Sequence, residues 1–467
     1  MTKNIKITIL SIYGIAGLTI LLLTLINNFF ILFLGVFILA GIIFLGFLSG
    51  RLNLIDYTKI LIPIIVLSPI VKIPGLFADL RLDDIWLAFG FLILLIKIAV
   101  NKLDFKIIIP TYAKVFVVFI FWISVTIFIS SYREPHLYST RDWTEVYKTL
   151  KLLIYLLIAV NLKLDFNKQK NMMNTLLISI LISAVFGILQ YFNVADINSW
   201  LTKYYIFETK VYNLETQRRV VGTFGNPNIF GTALILGIAL CLSNLFSGFK
   251  KRYIIALFIL FLAQIMSLSR TSLILAIILI VFLSFKIITK TKRKAVTLLY
   301  MGLIPVIAVL GLQFAPGLFF RRLSRVANIS TDTSFQGRIN MWENIWHSRT
   351  NVNLLTGTGP TSNIRITFDN EWLELLTHYG LIGLTLFILM FLIMYRVLAK
   401  MDSNKVNFYN LSAQSLLIIL AASMWMFTVF NILQLMPVII ILLGISLNEN
   451  IRRESNKKHV HKVHTAT

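Results

Sequence analysis

The stretch Asn228–Ser247, NIFGTALILGIALCLSNLFS, runs for 20 residues without a charged side chain. A helix of roughly 20 such residues crosses the roughly 30 Å of a bilayer's hydrocarbon core. The run also holds the only cysteine, Cys241, so neither a disulfide framework nor a cysteine-based metal site is available. Working outward, comparable runs recur near 7–26, 29–49, 58–73, 85–100, 113–131, 146–162, 172–192, 253–268, 271–288, 296–314, 371–398, 411–430 and 432–448. The third is interrupted by Pro63, Pro69 and Pro74, and the sixth carries Lys148 and Lys151 near its start. The first contains Ser11, Tyr13 and Gly14 and has no small-residue cleavage site after it, so it reads as a retained helix and not a signal peptide.

Composition agrees with the runs. The 467 residues are 57% hydrophobic and 14% charged, with a mean hydropathy of +0.82; a soluble protein carries about 25% charged residues. A soluble enzyme and a disordered chain are both excluded. Transmembrane barrels alternate apolar and polar residues, whereas these runs are unbroken. The sequence therefore predicts an all-α, polytopic integral membrane protein with about 12–14 spans and a large extracytoplasmic loop carrying amphipathic helices.

The formal net charge of +24 would suggest nucleic acid in a soluble protein. Here it resolves into topology. With the N-terminus in the cytoplasm, 27 of the 44 Lys and Arg, but six of the 20 Asp and Glu, fall on inner loops and inner helix ends. That bias puts both termini inside, leaves membrane lipids as partners and leaves no nucleic acid. The basic tail, residues 449–467, with His459, His461 and His464, reads as a solvated stop signal drawn to anionic lipid, or else as a metal-binding or regulatory tail.

Two outer segments, 193–227 and 315–370, are too long to be turns. The predicted organisation is N-terminal helices over 1–192, a core over 193–390 containing both loops, two last helices over 391–448, and the tail. In the second loop Phe335, Ile339, Trp342 and Trp346 fall at helical spacing, and Phe319–Val326 with Arg321, Arg322 and Arg325 suggests a second amphipathic helix. From residue 218 onward the outer basic residues are all arginine: Arg218, Arg219, Arg270, Arg321, Arg322, Arg325, Arg338, Arg349 and Arg365. The guanidinium fork binds phosphate oxygens in pairs, which points to an anionic, phosphorylated ligand outside the membrane. Headgroup anchoring accounts for Arg321, Arg322 and Arg325. It accounts poorly for Arg270, held in a very short turn between two apolar helices.

Four patterns share that outer side. They are Arg219-Val-Val-Gly-Thr-Phe-Gly-Asn226-Pro-Asn228; Ser267-Leu-Ser-Arg270-Thr-Ser272; Gly337-Arg338-Ile-Asn-Met-Trp342; and Gly357-Thr-Gly-Pro360, followed by Asp369-Asn370-Glu-Trp-Leu-Glu374-Leu-Leu-Thr-His378-Tyr-Gly380-Leu-Ile-Gly383. Singly each is weak. In this order and on one face they resemble the O-antigen ligase/polymerase family over residues 215–390. The resemblance implies a multispanning glycosyltransferase acting on polyprenyl-diphosphate-linked sugars outside the membrane, with outer arginines on the lipid diphosphate. Arg270 and Arg338 match those arginines. Where lipopolysaccharide ligases carry His-Asn-x-x-Leu this chain has Asp369, which resembles the polymerases of capsule, exopolysaccharide or teichuronic-type polymers.

The expectation is polymerisation of lipid-linked repeat units. Arg270 and Arg338, with Arg219, stabilise the leaving diphosphate, and Asp369 is the base for the incoming hydroxyl, with Glu374 as its substitute. Asn226, Asn228 and Asn370 are expected to contact sugar or backbone. No metal and no cofactor are expected. The partners are the polyprenyl-diphosphate-linked donor and acceptor, with a flippase and a chain-length regulator alongside. Each residue also has a plainer role: helix capping for Asp369-Asn370, membrane anchoring for Arg338, Trp342 and Trp346, and packing for His378. A ligase passing finished glycan to another acceptor is the nearer rival. A transporter is the more distant one, since no internal repeat is visible and mid-helix acids are few.

Overall fold

The computed structural model describes residues 54–71 (without 69), 80–99, 108–205 (without 134 and 137), 214, 218–247, 250–290, 333–349, 354–360, 369–401, 407–430 and 432–448 (without 433). The runs near 7–26, 29–49 and 296–314, the segment Phe319–Val326 and the basic tail lie outside the described residues. The chain divides into two units at residue 107.

In the first unit, α1 (Leu54–Leu67) and α2 (Leu82–Ala99) flank a two-residue antiparallel pair, β1 (Ile70–Val71) with β2 (Leu80–Arg81). Pro63 sits within α1. Tyr57 stacks on Trp86 at 5.7 Å. Arg81 is buried, with Nε on Asp83 Oδ1 at 2.6 Å and Nη2 on the Ile65 carbonyl (2.7 Å) and Ser68 Oγ (3.0 Å). A buried cation held by a carboxylate and two further acceptors is satisfied on every side that burial removed from water.

The second unit carries α3 (Thr111–Arg133), α4 (Trp143–Val160), α5 (Phe166–Phe192), α6 (Ile197–Tyr204), α7 (Pro227–Ser247), α8 (Lys251–Met266) and α9 (Arg270–Lys290). It continues with α10 (Thr333–Arg349), α11 (Glu371–Met401), α12 (Phe408–Ser423) and α13 (Met436–Ser446). Among the described residues, α3, α5, α7, α9 and α11 are each long and apolar enough to cross a membrane. The chain is an all-α, multi-pass membrane protein. The central element is α7, 94% of whose apolar window is buried; it packs on α5, α8, α9 and α12. Small residues allow the close approach: a Cβ on Gly231 would stand 2.2 Å from Ser272 Oγ of α9.

Every expected run within the described residues carries a helix, and the charged sixth one is explained by pairing. Lys148 Nζ meets Glu145 Oε1 at 2.7 Å, and the buried Lys151 lies over the Tyr155 ring. The last two helices are shorter than their runs, because the described residues between Met424 and Leu435 form turns and loops, with Met424, Val429 and Leu435 buried and Trp425 exposed.

Polar side chains tie the helices at both ends of the bundle. At one end Ser243 Oγ donates to the Phe408 carbonyl (3.0 Å), Asn407 Nδ2 to Gln169 Oε1 (3.1 Å), and Asn448 Nδ2 to the carbonyls of Ala159, Val160 and Leu162. On the opposite side of the bundle lie the carboxyl ends of α5 and α8 and the amino ends of α7, α9 and α11. All four motifs lie there.

Candidate functional site

The first two motifs close on each other. Asn226 caps α7, its Oδ1 accepting the Asn228 N–H at 2.8 Å. Asn228 Oδ1 accepts Arg219 Nη2 at 3.0 Å, while Arg219 Nε reaches the Ser267 carbonyl at 3.3 Å and the Val220 N–H reaches that of Met266. Arg219 is thereby oriented from both sides. The turn it rests on is tight. Leu268 is buried with φ +52°, a left-handed backbone that a branched residue adopts at a cost of about 1–3 kcal/mol. Ser267 Oγ on the Gln264 carbonyl (2.7 Å) and Gln264 Nε2 on Ser272 Oγ (2.6 Å) hold it. Arg270 follows at once as the first residue of α9, half-buried. The serines of the motif therefore build the turn, and the arginine is what the turn presents.

The third and fourth motifs also close on each other. Arg338, on α10, places Nε 3.4 Å from Asp369 Oδ2. The capping role is taken by the next residue: Asn370 Oδ1 accepts the Leu373 N–H at 3.1 Å at the start of α11. Asp369 is left half exposed at 50%, facing the arginine. On α10 the packed face runs through Arg338, Met341, Trp342 and Ile345, with Ile345 buried, while Trp346 is 48% exposed. Of the predicted stripe, Ile339 and Trp342 are half-buried and Trp346 is exposed, while Arg338 is half-buried beside Ile339.

The glycines of the fourth motif build a backbone crossing. Helix α11 breaks at Gly380, whose φ +65° and ψ −171° are open essentially to glycine alone. Residues 354–360 cross the break. The Thr358 and Gly359 N–H groups donate to the carbonyls of Thr377 and His378, each at 2.8 Å, and the Leu381 and Ile382 N–H groups donate to those of Leu354 and Leu355. Trp122 Nε1 of α3 takes the Tyr379 carbonyl at 2.8 Å. A broken helix within a membrane survives only where such partners replace the lost ladder. A Cβ on Gly380 would lie 2.2 Å from the Leu355 carbonyl oxygen.

One residue that sequence reasoning passed over is the most deeply held. Glu371, wholly buried, accepts the N–H groups of Val429 and Phe430 (2.8 Å) on Oε2, and its own N–H donates to the Met424 carbonyl at 2.8 Å. Its Oε1 has no hydrogen-bond partner among the described residues. Glu371 thereby fastens the turns between α12 and α13 to the start of α11, two residues from Asp369. The signal was a second acid directly after the Asp369-Asn370 pair. Glu374, by contrast, faces His378 of its own helix, with Oε1 3.8 Å from Nδ1. Of the outer arginines, Arg321, Arg322, Arg325 and Arg365 lie outside the described residues.

Two clusters thus offer cations, Arg219 with Arg270 at one turn and Arg338 beside the half-exposed Asp369 at the other. Such a set suits an anionic leaving group and a hydroxyl nucleophile. Residues 255–388 match the family model described as O-antigen ligase. The match holds motifs two to four and the Gly380 break; the Arg219–Asn228 motif lies before it. No curated protein matches the chain.

Proposed function

We propose, from the match of residues 255–388 to the family model described as O-antigen ligase, that this chain is a membrane enzyme of glycan biosynthesis of the O-antigen ligase/polymerase type and that it polymerises polyprenyl-diphosphate-linked repeat units on the extracytoplasmic face. The observation that carries the proposal is the Arg338–Asp369 pair, with Asn370 doing the capping and the carboxylate half open to solvent. The face is supported by charge: the motif-bearing helix ends are opposite those next to Lys163, Lys250 and Lys290.

The glycosyl C1–O bond to the diphosphate breaks, and the diphosphate leaves with the bonding electrons. The acceptor hydroxyl oxygen forms the new C1–O bond, and its proton passes to Asp369. A half-exposed ion pair is worth about 0–1 kcal/mol. An arriving diphosphate, with more charge and paired oxygens for the guanidinium fork, therefore displaces Asp369 from Arg338. The displacement sets the cation on the leaving group and releases the base together. Arg270 and Arg219 take up the remaining charge. Burial of Glu371 against Val429 and Phe430 fixes the turn from which Asp369 projects.

Deleting the gene and analysing the lipid-linked glycans tests this. Single repeat units accumulating on polyprenyl diphosphate, with long chains lost, are expected. Long chains still built but stranded on the lipid would make the protein a ligase, a reading the absence of a histidine at 369 disfavours. An unchanged pool would overturn both and favour a transporter.

A further inference from the structure

A polar cavity of about 640 Å³ opens where α5 ends, walled by Tyr191, Asn193, Asp196, Asn198, Ser199 and Arg218. Its size falls within the roughly 300–1,000 Å³ of small-molecule sites. The chain is bent hard to form it. Asn193, Ala195, Asp196 and Arg218, none of them glycine, all have φ between +46° and +55°. Asp196 is held by Ser199 Oγ on Oδ2 (2.6 Å) and Asn193 Nδ2 on Oδ1 (3.2 Å). The Asn198 side chain donates through Nδ2 to the Gln190 carbonyl at 3.0 Å, while its Oδ1, shielded from solvent, has no hydrogen-bond partner among the described residues.

The chemistry of the walls excludes one ligand class and fits another. Among the described residues that line it, one acid, Asp196, stands against one arginine, Arg218, so these walls carry no excess positive charge for a phosphate. What remains is amide, carboxylate and hydroxyl groups that donate and accept at close spacing, with an aromatic pair, Tyr191 edge-on to Phe192 at 5.2 Å. Such a set is matched by the hydroxyls and C–H faces of a sugar. The cavity is also coupled to the anion-facing residues. Gln190, in its wall, accepts the N–H groups of Val221 (3.0 Å) and Gly222 (2.8 Å) on Oε1 and donates to the Gly222 carbonyl. The left-handed backbone at Arg218 parts two successive arginines: Arg218 lines the cavity while Arg219 reaches Ser267 and Asn228.

We propose that this cavity is a glycan subsite, taking uncharged sugars of a lipid-linked oligosaccharide whose diphosphate lies toward Arg219. The inference rests on the glycosyltransferase reading and extends it to a place for the sugars outside the matched segment.

The test uses the full-length protein in lipid nanodiscs. The probe is the oligosaccharide released by mild acid from the host's lipid-linked glycans, followed by saturation-transfer NMR. Wild type is expected to bind it, and Tyr191→Ala and Asn198→Ala to bind it at least about fivefold more weakly, the loss of roughly one stacking or hydrogen-bond contact. Asp196→Asn, at an exposed position, is expected to weaken binding without altering the melting temperature. Binding within twofold of wild type in all three cavity variants would overturn the subsite, as would no binding to wild type. Displacement of the oligosaccharide by inorganic pyrophosphate would do the same, marking an anion site. The deletion phenotype is read separately, so a lost subsite and a lost polymerase function are distinguishable.

Discussion

Replacing Glu371 by alanine removes the acceptor used by two backbone N–H groups, those of Val429 and Phe430, in a place where water does not substitute. A buried donor left unpaired costs about 1–3 kcal/mol. The variant is therefore expected to lose about 2–6 kcal/mol, enough to be large against the whole stability of a typical domain. Glu371→Gln keeps an oxygen where both amides need it and surrenders only the charge-assisted part, about 1 kcal/mol. Thermal unfolding in nanodiscs followed by tryptophan fluorescence orders the three proteins: wild type, then the glutamine variant slightly lower, then the alanine variant far lower. Activity should follow the same order, because the turns at 424–435 and the start of α11 part together. An alanine variant that melts with wild type, or below which the glutamine variant melts, refutes the clamp.

Four further outcomes follow from the geometry. Asp369→Asn and Arg338→Ala should each lower polymer formation by about 10²–10³-fold while shifting the melting temperature little, since their half-exposed pair adds little stability; a parallel loss of stability would make the pair structural. Gly380→Ala should cost at least about 1–3 kcal/mol from its backbone conformation, with the Leu355 clash added. Gly337→Ala meets open space and should stabilise α10 by up to about 1 kcal/mol, both read by melting. The Lys168 N–H on Asp165 holds that carboxyl below its usual value of 3.8. The first turn of α5 should therefore stay protected in hydrogen exchange through neutral and mildly acid pH, and lose the protection only below about 3.8.

Hydropathy located the helices because it measures burial, and it erred where burial and conformation part. Met424, Phe427, Val429, Phe430 and Leu435 are buried like helix residues but stand in turns and loops, so the runs 411–430 and 432–448 overran α12 and α13. The pairing of Asp369 with Arg338 was prepared by motif order, and the choice between capping and chemistry fell to Asn370, a distinction of one residue that spacing does not resolve. Glu371 was illegible for a different reason. An acid at the first turn of a helix is ordinary, and its partners stand 58 and 59 residues later in the chain. The cavity at the end of α5 arises from left-handed backbone at residues whose types do not announce it.

The strap across the α11 break changes the arithmetic of where Asp369 can be. By sequence it hangs at the end of an outer loop of 56 residues, 315–370. The bonds from Thr358 and Gly359 to Thr377 and His378 fasten the chain on both sides of it, so the free span is the 11 residues from 360 to 370. Closing the shorter span involves about 1.5 kcal/mol less chain entropy than closing the longer one. Asp369 is thus held within a short distance in sequence of a fastened point on either side: the strap ends at Pro360, and Asn370 caps α11.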